Sequence, residues 1–403
     1  MIKVNVKGKV AIIDAVRSPV GSIGGGLKTL SVKDLGVHVV SHLLKRTGID
    51  PALVEYVSFG WVMQDPRFHN LAKIISEFSG IPSSIPGTTF HENCASGAAA
   101  IHDIARRILL GEIEIGIGGG VESMSNVPRQ LYQGRLKGQL YGDFTIKDGI
   151  MSALTDAFAG EKGELMGVLT ERLVEKYDVT REEQDEIAYK SHWNSRKAWD
   201  GGYFDDYVIP VELEDRKKGT QVVEKDEGPR EITIGELAKQ TPYFKPDGGT
   251  ITSLNSSTIN DGAAAVCLMS QRKTKELKIQ PLGYLYSFHN IGVPREFMGE
   301  GAFKVMPPLL EKGGLSLSDI DYFEINEAFA AVLGAAFHFL ENLPKEKTNQ
   351  WGSGISLGHP VGCTGARQIT DMIHQLRRRD KKIGFTSRCV GGGMGSGEIL
   401  VLS

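Results

Sequence analysis

The chain has 403 residues, 41% of them hydrophobic and 24% charged, a composition typical of globular proteins rather than of disordered or fibrous ones. Its length allows two or three domains, each able to bury a core of its own. The formal net charge of -3 argues against nucleic acid or an acidic membrane as a general partner.

The N-terminus and the cysteines favour a cytoplasmic protein. The first residues lack the basic segment and long apolar run of a secretory signal, and no later stretch supplies the ~18 apolar residues of a membrane span. The four cysteines, at positions 94, 267, 363 and 389, include no CxxC pair, so neither a disulfide framework nor a zinc knuckle is expected.

Strand-like and helix-like runs alternate over residues 1–127, which predicts an α/β layer built on a mixed or parallel sheet. The helix from Ser96 to Leu110 places Ile101, Ile104 and Ile108 on one face. The other runs are strand-like at Val10 to Val16 and at Ile113, Ile115 and Ile117, and helix-like from Val32 to Leu44.

From about Pro128 to Asp247 the sequence becomes charged and rich in predicted helices and turns. Thr180 and Glu183 form the capping box of a helix that ends at Gly201. We interpret this segment as an insertion of loops and helices.

The α/β pattern returns after the insertion. Strand-like runs lie at Ala263 to Met269, Ile320 to Ile325, Ile383 to Ser387 and Glu398 to Leu402, and a helix is predicted from Glu327. We therefore predict two similar halves around an inserted segment. The first half comprises residues 1–127 and 248–280, the insertion residues 128–247, and the second half residues 281–403.

Cys94 lies at the predicted start of the second helix of the first half. The positive end of the helix dipole stabilises a thiolate there and should lower the thiol pKa below its free value of ~8.5. A lone cysteine is nevertheless more often a packed core residue.

Three further segments could also carry chemistry. His359, held between Gly358 and Pro360, has the restricted geometry of a general base, or of a turn histidine bonded to backbone. Cys389 precedes glycines 391–393, whose unobstructed N–H groups could hold an oxyanion or merely form a hairpin. That run fits neither GxGxxG nor a Walker A motif. Asn326, at a strand-to-helix junction, is by itself an expected N-cap.

In combination and in chain order, these segments resemble the Cys-x-Ser-Gly, Asn-Glu-Ala-Phe, Gly-His-Pro and Cys-x-Gly motifs of the thiolase family. The resemblance covers nearly the whole chain and implies two packed βαβαβαββ halves, a five-layered αβαβα fold with an inserted loop domain. Further similar segments are Gly119 to Ser125, Thr180 to Asp185, Asn255 to Ser257 and Asn260 to Ala265.

The resemblance implies thiolytic cleavage of 3-oxoacyl-CoA to acetyl-CoA and a shortened acyl-CoA, by ping-pong acyl transfer with coenzyme A as a substrate and no cofactor. Cys94 is then the nucleophile, His359 its base and Cys389 the acid that protonates the acetyl-CoA enolate. Two oxyanion sites are also implied. One consists of His359 and a water held by Asn326, and the other of the N–H groups of Cys94 and Gly391.

The acyl chain stays open at this point. Leu165 stands where many family members have a histidine, and the stretch between Asp156 and Met166 is longer than usual. The resemblance also implies a homodimer or homotetramer. The implied substrate-binding residues are Leu154, Met166, Ser257 and Phe329.

Other interpretations remain possible on the sequence alone. A biosynthetic acetyl-CoA acetyltransferase would run the same chemistry toward acetoacetyl-CoA, and a non-catalytic subunit would keep only the fold. A serine hydrolase is suggested by the GxSxG match at Ser356, with Asp371 and His374 downstream. His38 and His42 lie four apart on a helix but lack the acid of an HExxH metal motif.

Overall fold

The structure is a computed structural model that describes residues 10–131, 143, 145–157, 163–215 and 219–402. Most of the residues outside these ranges belong to the predicted insertion, including residues 158–162 of the stretch predicted to be lengthened before Met166. Within the described ranges, no helix combines the length and the apolar character needed to cross a membrane.

Twelve α-helices and fourteen β-strands form over the described residues. The helices are α1 Val32–Thr47, α2 Leu71–Phe78, α3 Ser96–Leu110, α4 Gly149–Ala153, α5 Met166–Tyr177, α6 Arg181–Asp200, α7 Ile234–Ala238, α8 Gln271–Leu277, α9 Gly301–Lys304, α10 Met306–Gly313, α11 Ala330–Phe339 and α12 Thr364–Arg378. The strands are β1 Val10–Arg17, β2 Gly21–Ser22, β3 Tyr56–Gly60, β4 Gly87–Phe90, β5 Ile115–Ser123, β6 Thr155–Asp156, β7 Glu164–Leu165, β8 Val211–Asp215, β9 Gly219–Val223, β10 Asn260–Met269, β11 Gly283–Gly292, β12 Tyr322–Ile325, β13 Ile383–Val390 and β14 Met394–Val401.

Ten of the strands join in one mixed sheet, in the order β12-β13-β14-β11-β1-β10-β5-β3-β4, with β2 paired to β10. The pairs β12–β13, β3–β4 and β3–β5 are parallel, and the others are antiparallel. Strands of the two predicted halves meet where Val10–Ile12 pairs with Gly283–Leu285. The predicted mixed sheet is thus confirmed.

Strands β1, β5, β10, β12 and β13 are buried at every position, as expected for strands that are covered on both faces. In β10, Ala263, Ala265 and Cys267 pack with α1 and α2, whereas Ala264 and Val266 pack with α3 and α12. Residues of β11, β12 and β14 also pack with α3 and α12, so these two helices lie between the two halves of the sheet. On the other side of β12, β13 and β14, the helices α5, α9, α10 and α11 form a separate hydrophobic core. The layers therefore follow the predicted αβαβα order.

In the second half of the fold, a single parallel bridge takes the place of the parallel pair β3–β4 of the first half. This bridge joins Thr348 to Phe323 of β12. The last strand also begins at Met394, earlier than the predicted Glu398, because Gly395 and Gly397 take part in its ladder.

The helix predicted from Glu327 begins instead at Ala330. A tertiary contact delays the start, because Phe329 bridges to Ser256 and the Ala330 N–H donates to the Asn255 carbonyl at 2.8 Å. Local sequence could not predict this contact. Phe329 is the N-cap of α11, so the interpretation of Asn326 as an N-cap is wrong.

The described part of the predicted insertion contributes α4 to α7 and two small hairpins, β6–β7 and β8–β9, which stay apart from the large sheet. The predicted capping box begins α6, since the Glu183 N–H donates to the Thr180 hydroxyl and the Thr180 N–H to the Glu183 carboxylate. A buried ion pair of 2.7 Å joins Asp226 of this segment to Arg17 of β1.

The N-terminal ends of α3 and α12 pack backbone to backbone in the central layer. A Cβ atom on Gly97 would lie 2.9 Å from the Gly362 carbonyl oxygen, and one on Gly365 would meet the backbone of α3 at 2.6 Å. Gly120 of β5 packs on the same carbonyl, where a Cβ atom would lie 2.2 Å away. Only residues without a side chain allow so close an approach.

Replacement of Gly120 by alanine should lower the melting temperature by about 5 °C, equivalent to about 3 kcal/mol, because backbone atoms cannot rotate away from the added methyl group. Gly292→Ala is the matched control, because a Cβ atom there meets nothing within 4 Å. Thermal unfolding followed by circular dichroism measures both variants. Equal melting temperatures would contradict the close packing at the junction.

Candidate active site

The junction of α3 and α12 brings together two side chains that are 265 residues apart in the sequence. Cys94 lies in the turn Asn93–Ala95 that leads into α3, and His359 lies in the loop that leads into α12. The Cys94 Sγ atom is 3.3 Å from His359 Nε2, within the range of a thiol–imidazole hydrogen bond.

The second ring nitrogen of His359 determines where the proton resides. Its Nδ1 lies 2.6 Å from Thr364 Oγ1, and the Thr364 hydroxyl itself donates to the Pro360 carbonyl at 3.1 Å. The hydroxyl oxygen therefore accepts from Nδ1–H, which leaves the Nε2 lone pair directed at the Cys94 thiol. The His359 N–H also donates to Asn260 Oδ1 at 2.9 Å, which fixes the loop.

Both groups are neutral at physiological pH. Burial, assisted by the Arg367 charge, lowers the pKa of His359 to about 3. Burial also raises the pKa of Cys94 to about 11, against the opposing effect of the N–H groups of Gly391 and Cys94. The expectation of a lowered Cys94 pKa is therefore wrong. The thiol keeps some exposed surface toward a cavity, but loss of hydration outweighs the helix dipole.

Cys94 and His359 open into a mostly apolar cavity of about 480 Å³. Cys389, next to last in β13, also lines it, and burial followed by the neighbouring Cys94 thiol raises the pKa of Cys389 above its ordinary value. Leu165 contributes an apolar side chain to the wall. All four predicted substrate-binding residues line the same cavity: Leu154, Met166, Ser257 and Phe329.

The glycine segment after Cys389 is both a hairpin turn and part of the cavity wall. It connects β13 to β14, and Gly392 and Gly393 have φ values of 92° and 87°, which favour glycine. The N–H groups of Gly391 and Cys94 both lie near the Cys94 thiol. Two N–H groups that converge in this way can stabilise a negatively charged oxygen.

Asn326 does not belong to the lining of this cavity. Its N–H donates to the Ser387 carbonyl at 2.8 Å, which ties it to β13 two residues before Cys389. Its side-chain amide is fully buried and makes no hydrogen bond with any group in the described ranges. A buried amide of this kind is suited to bind a water molecule or a substrate atom.

Motif comparison missed residues that support the site. Thr364 contacts the His359 ring, and Asn93 donates from Nδ2 to the Gly391 carbonyl at 2.7 Å. The buried Glu122 carboxylate accepts N–H groups from Val62, Met63 and Gly362 and so ties together two segments beside the cavity. Burial raises its pKa to about 7. Of these residues, only Glu122 could have been found from the sequence, because it lies within Gly119 to Ser125, one of the segments that resemble a known family.

Among the described residues, the alternative nucleophile Ser356 has no histidine as a hydrogen-bond partner. Its hydroxyl is buried and accepts from Ser191 at 2.8 Å, whereas Asp371 accepts from Arg17 and His374 contacts the Ala15 carbonyl. Neither Ser356 nor His374 lines the cavity, and their hydrogen bonds in the described ranges go to Ser191 and Ala15 rather than to each other.

The imidazole rings of His38 and His42 are hydrogen-bonded to backbone carbonyls. His38 Nε2 contacts the Ile209 carbonyl, and His42 Nδ1 contacts the His38 carbonyl. Over the described ranges, no group of three or more His, Cys, Asp and Glu side chains is arranged to hold a metal ion.

Two family models match the chain. They are "Thiolase, N-terminal domain" over residues 10–272 and "Thiolase, C-terminal domain" over residues 279–402. A probable acetyl-CoA acyltransferase of Staphylococcus aureus is 38% identical over 386 residues, which is 96% of this chain and 97% of the relative. One of Staphylococcus epidermidis is 38% identical over 394 residues, 97% of this chain and 98% of the relative.

Solved structures are also similar to this chain over nearly its whole length. An acetyl-CoA acetyltransferase of Bacillus anthracis has a TM-score of 0.94 and 41% identity, and covers 98% of both chains. Human mitochondrial 3-ketoacyl-CoA thiolase in complex with CoA has a TM-score of 0.92 and 34% identity, again over 98% of both chains. These similarities confirm the predicted family, fold class and acyltransferase class.

Iodoacetamide should modify Cys94 at a rate that rises about tenfold per pH unit between pH 7 and pH 10, because only the thiolate reacts and the thiol pKa is about 11. His359 stays neutral over this range, since its lowered pKa is passed only near pH 3. Peptide mass spectrometry at each pH measures the rate, and buried Cys267 serves as the unreactive internal control. A plateau from about pH 5 would reveal a preformed thiolate–imidazolium pair and contradict this account.

Proposed function

The chain belongs to the thiolase family, and we propose that this acyltransferase cleaves 3-oxoacyl-CoA with coenzyme A into acetyl-CoA and a shortened acyl-CoA. The observation that carries the proposal is the 3.3 Å contact between the Cys94 thiol and the unprotonated Nε2 of His359. A second thiol, Cys389, lines the same cavity, as an acyl transfer with a separate acid requires.

In the first half-reaction, Cys94 attacks the 3-keto carbon while His359 takes its proton. The proton moves as the carbon–sulfur bond forms, because both groups are neutral beforehand. The N–H groups of Cys94 and Gly391 hold the tetrahedral oxyanion. The bond between C2 and C3 then breaks, and its electron pair passes into the enolate of acetyl-CoA. Protonated His359 and a water on Asn326 hold the enolate oxygen, while Cys389 protonates C2.

In the second half-reaction, the Cys389 thiolate takes the proton of an incoming coenzyme A thiol. The coenzyme A sulfur attacks the acyl group on Cys94, and the same two N–H groups hold the new oxyanion. When the shortened acyl-CoA leaves, the Cys94 sulfur recovers its proton from His359. Cys94, His359 and Cys389 each end in the protonation state in which they began, since the coenzyme A thiol supplies the proton that Cys389 gave to C2, so we propose that no cofactor takes part.

We propose that the preferred substrates carry an apolar acyl chain longer than acetoacetyl. The cavity of about 480 Å³ has a mostly apolar wall that includes Met298, Phe244 and Phe329. Leu165 adds to this wall at the position where many family members carry histidine. A wall of this kind favours aliphatic carbon over polar groups. This substrate class fits degradation, as in β-oxidation, better than acetoacetyl-CoA synthesis.

The assembly and compartment are also proposals. Leu109 and Leu110, adjacent at the end of α3, are 53% and 75% exposed, and such apolar surface suits the interface of a homodimer or homotetramer. All four cysteines are free thiols, which fits the reducing cytoplasm. The insertion at 128–247 is proposed as a separate unit because its described strands form only small hairpins.

Steady-state thiolysis of acetoacetyl-CoA, 3-oxohexanoyl-CoA and 3-oxooctanoyl-CoA tests the substrate class. The value of kcat/KM should rise about tenfold from the first to the second substrate, because two more methylene groups are buried at about 0.8 kcal/mol each. The highest kcat/KM with acetoacetyl-CoA would favour the biosynthetic acetyltransferase. Absence of cleavage with all three would favour the non-catalytic subunit.

Replacement of Cys389 by alanine should reduce kcat for thiolysis about 10³-fold, because the enolate loses its proton donor. Cys267→Ala is the matched control, since this buried thiol of β10 lies on the outer face of the sheet and does not line the cavity. Its kcat should stay within about twofold of wild type. Similar losses in both variants would remove Cys389 from the proposed chemistry.

A further inference from the structure

Asn93, the residue before the nucleophile, has a left-handed backbone with φ of 44°. Left-handed conformations are unfavourable for most residues, whereas asparagine tolerates them. In the part of the chain that the structure describes, no other left-handed non-glycine residue lines the cavity. The backbone turn that presents Cys94 to the cavity therefore depends on the residue type at position 93.

The Asn93 side chain also makes a hydrogen bond, which the left-handed backbone does not by itself require. Its Nδ2 donates to the Gly391 carbonyl at 2.7 Å, across 298 residues of sequence and between the two halves of the fold. A Cβ atom on Gly391 would lie 3.2 Å from this nitrogen and 2.9 Å from the Met166 methyl group. The amide therefore packs closely on the residue whose N–H approaches the Cys94 thiol.

Gly391 needs such a restraint because it begins a turn of three glycines, of which the next two are left-handed. A run of glycines has wide conformational freedom, so its N–H groups are not held in place by side chains. An N–H group stabilises an oxyanion well only when it is oriented before the charge develops. The hydrogen bond from Asn93 fixes the peptide unit that follows Gly391 and so limits the φ and ψ rotations at Gly391 that would turn its N–H away.

We infer that Asn93 is a positioning residue, whose amide holds the Gly391 N–H in line with the Cys94 N–H so that both face the tetrahedral oxygen of the acyl group. The inference rests on the proposed function, because it assigns the two N–H groups to that oxygen. Asn93 acts through Gly391 and does not itself take part in proton transfer.

Asn93→Gly separates the two properties of Asn93, because glycine adopts the left-handed conformation but carries no amide. Its kcat for thiolysis of 3-oxohexanoyl-CoA should fall about tenfold with KM within about twofold, less than the 10²–10³-fold loss of a deleted oxyanion donor. Asn93→Asp, which places a carboxylate against the Gly391 carbonyl, should fall further. Alkylation of Cys94 by iodoacetamide forms no acyl oxyanion and loses only the support that the Gly391 N–H gives to the thiolate, so its rate in Asn93→Gly should fall less than kcat, to no lower than about a third of the wild-type rate.

Asn70→Gly is the matched control. Asn70 is also left-handed, with φ of 42°, and also donates from Nδ2 to a glycine carbonyl, that of Gly87 at 2.8 Å, but it does not line the cavity. Its kcat should equal that of wild type. A wild-type kcat in Asn93→Gly would overturn the inference, as would a parallel loss of turnover and alkylation. If the wild-type protein cleaves no 3-oxoacyl-CoA, the proposed function itself fails and this inference fails with it.

Discussion

Cys94 and His359 can meet because α3 and α12 begin with small residues that pack backbone to backbone. A side chain at Gly97 or Gly365 would separate the helix ends and lengthen the 3.3 Å contact between the two reacting atoms. Buried sheet surfaces lie on both sides of these helices, so neither helix can shift to relieve such a clash. The glycine turn after Cys389 then completes the site from the second half of the fold.

Burial gives this site its chemical character. It keeps the Cys94 thiol protonated and His359 neutral, and it keeps Cys389 protonated as well. A neutral pair is unreactive until an electrophilic carbon arrives, which limits wasteful thiolate chemistry in the empty cavity. The cost is that the oxyanion must be stabilised strongly, since little thiolate is available beforehand. The positions of the Cys94 and Gly391 N–H groups therefore matter more here than the dipole of α3.

The sequence predicts those features of the fold and of the site that depend on neighbouring residues, but it does not predict those that depend on tertiary contacts. The capping box at Thr180 and the extent of α3 follow from neighbouring residues, and both were predicted. Of the residues that the short motifs pointed to, Cys94, His359 and Cys389 line one cavity, whereas Asn326 lies outside its lining. The sign of the Cys94 pKa shift was missed because desolvation depends on walls built from distant segments. Thr364 and Asn93 were missed because each acts through one hydrogen bond that no spacing rule reveals.

The proposed reaction requires that Cys94 carries the acyl group between two coenzyme A molecules. Its most direct test is to mix wild-type protein with 3-oxohexanoyl-CoA without free coenzyme A, quench in acid, and map the acylated peptide by mass spectrometry. We expect one butanoyl group on Cys94, one equivalent of released acetyl-CoA, and loss of the adduct when coenzyme A is added before the quench. An adduct on another residue, or turnover that never passes through an acylated protein, would contradict the account.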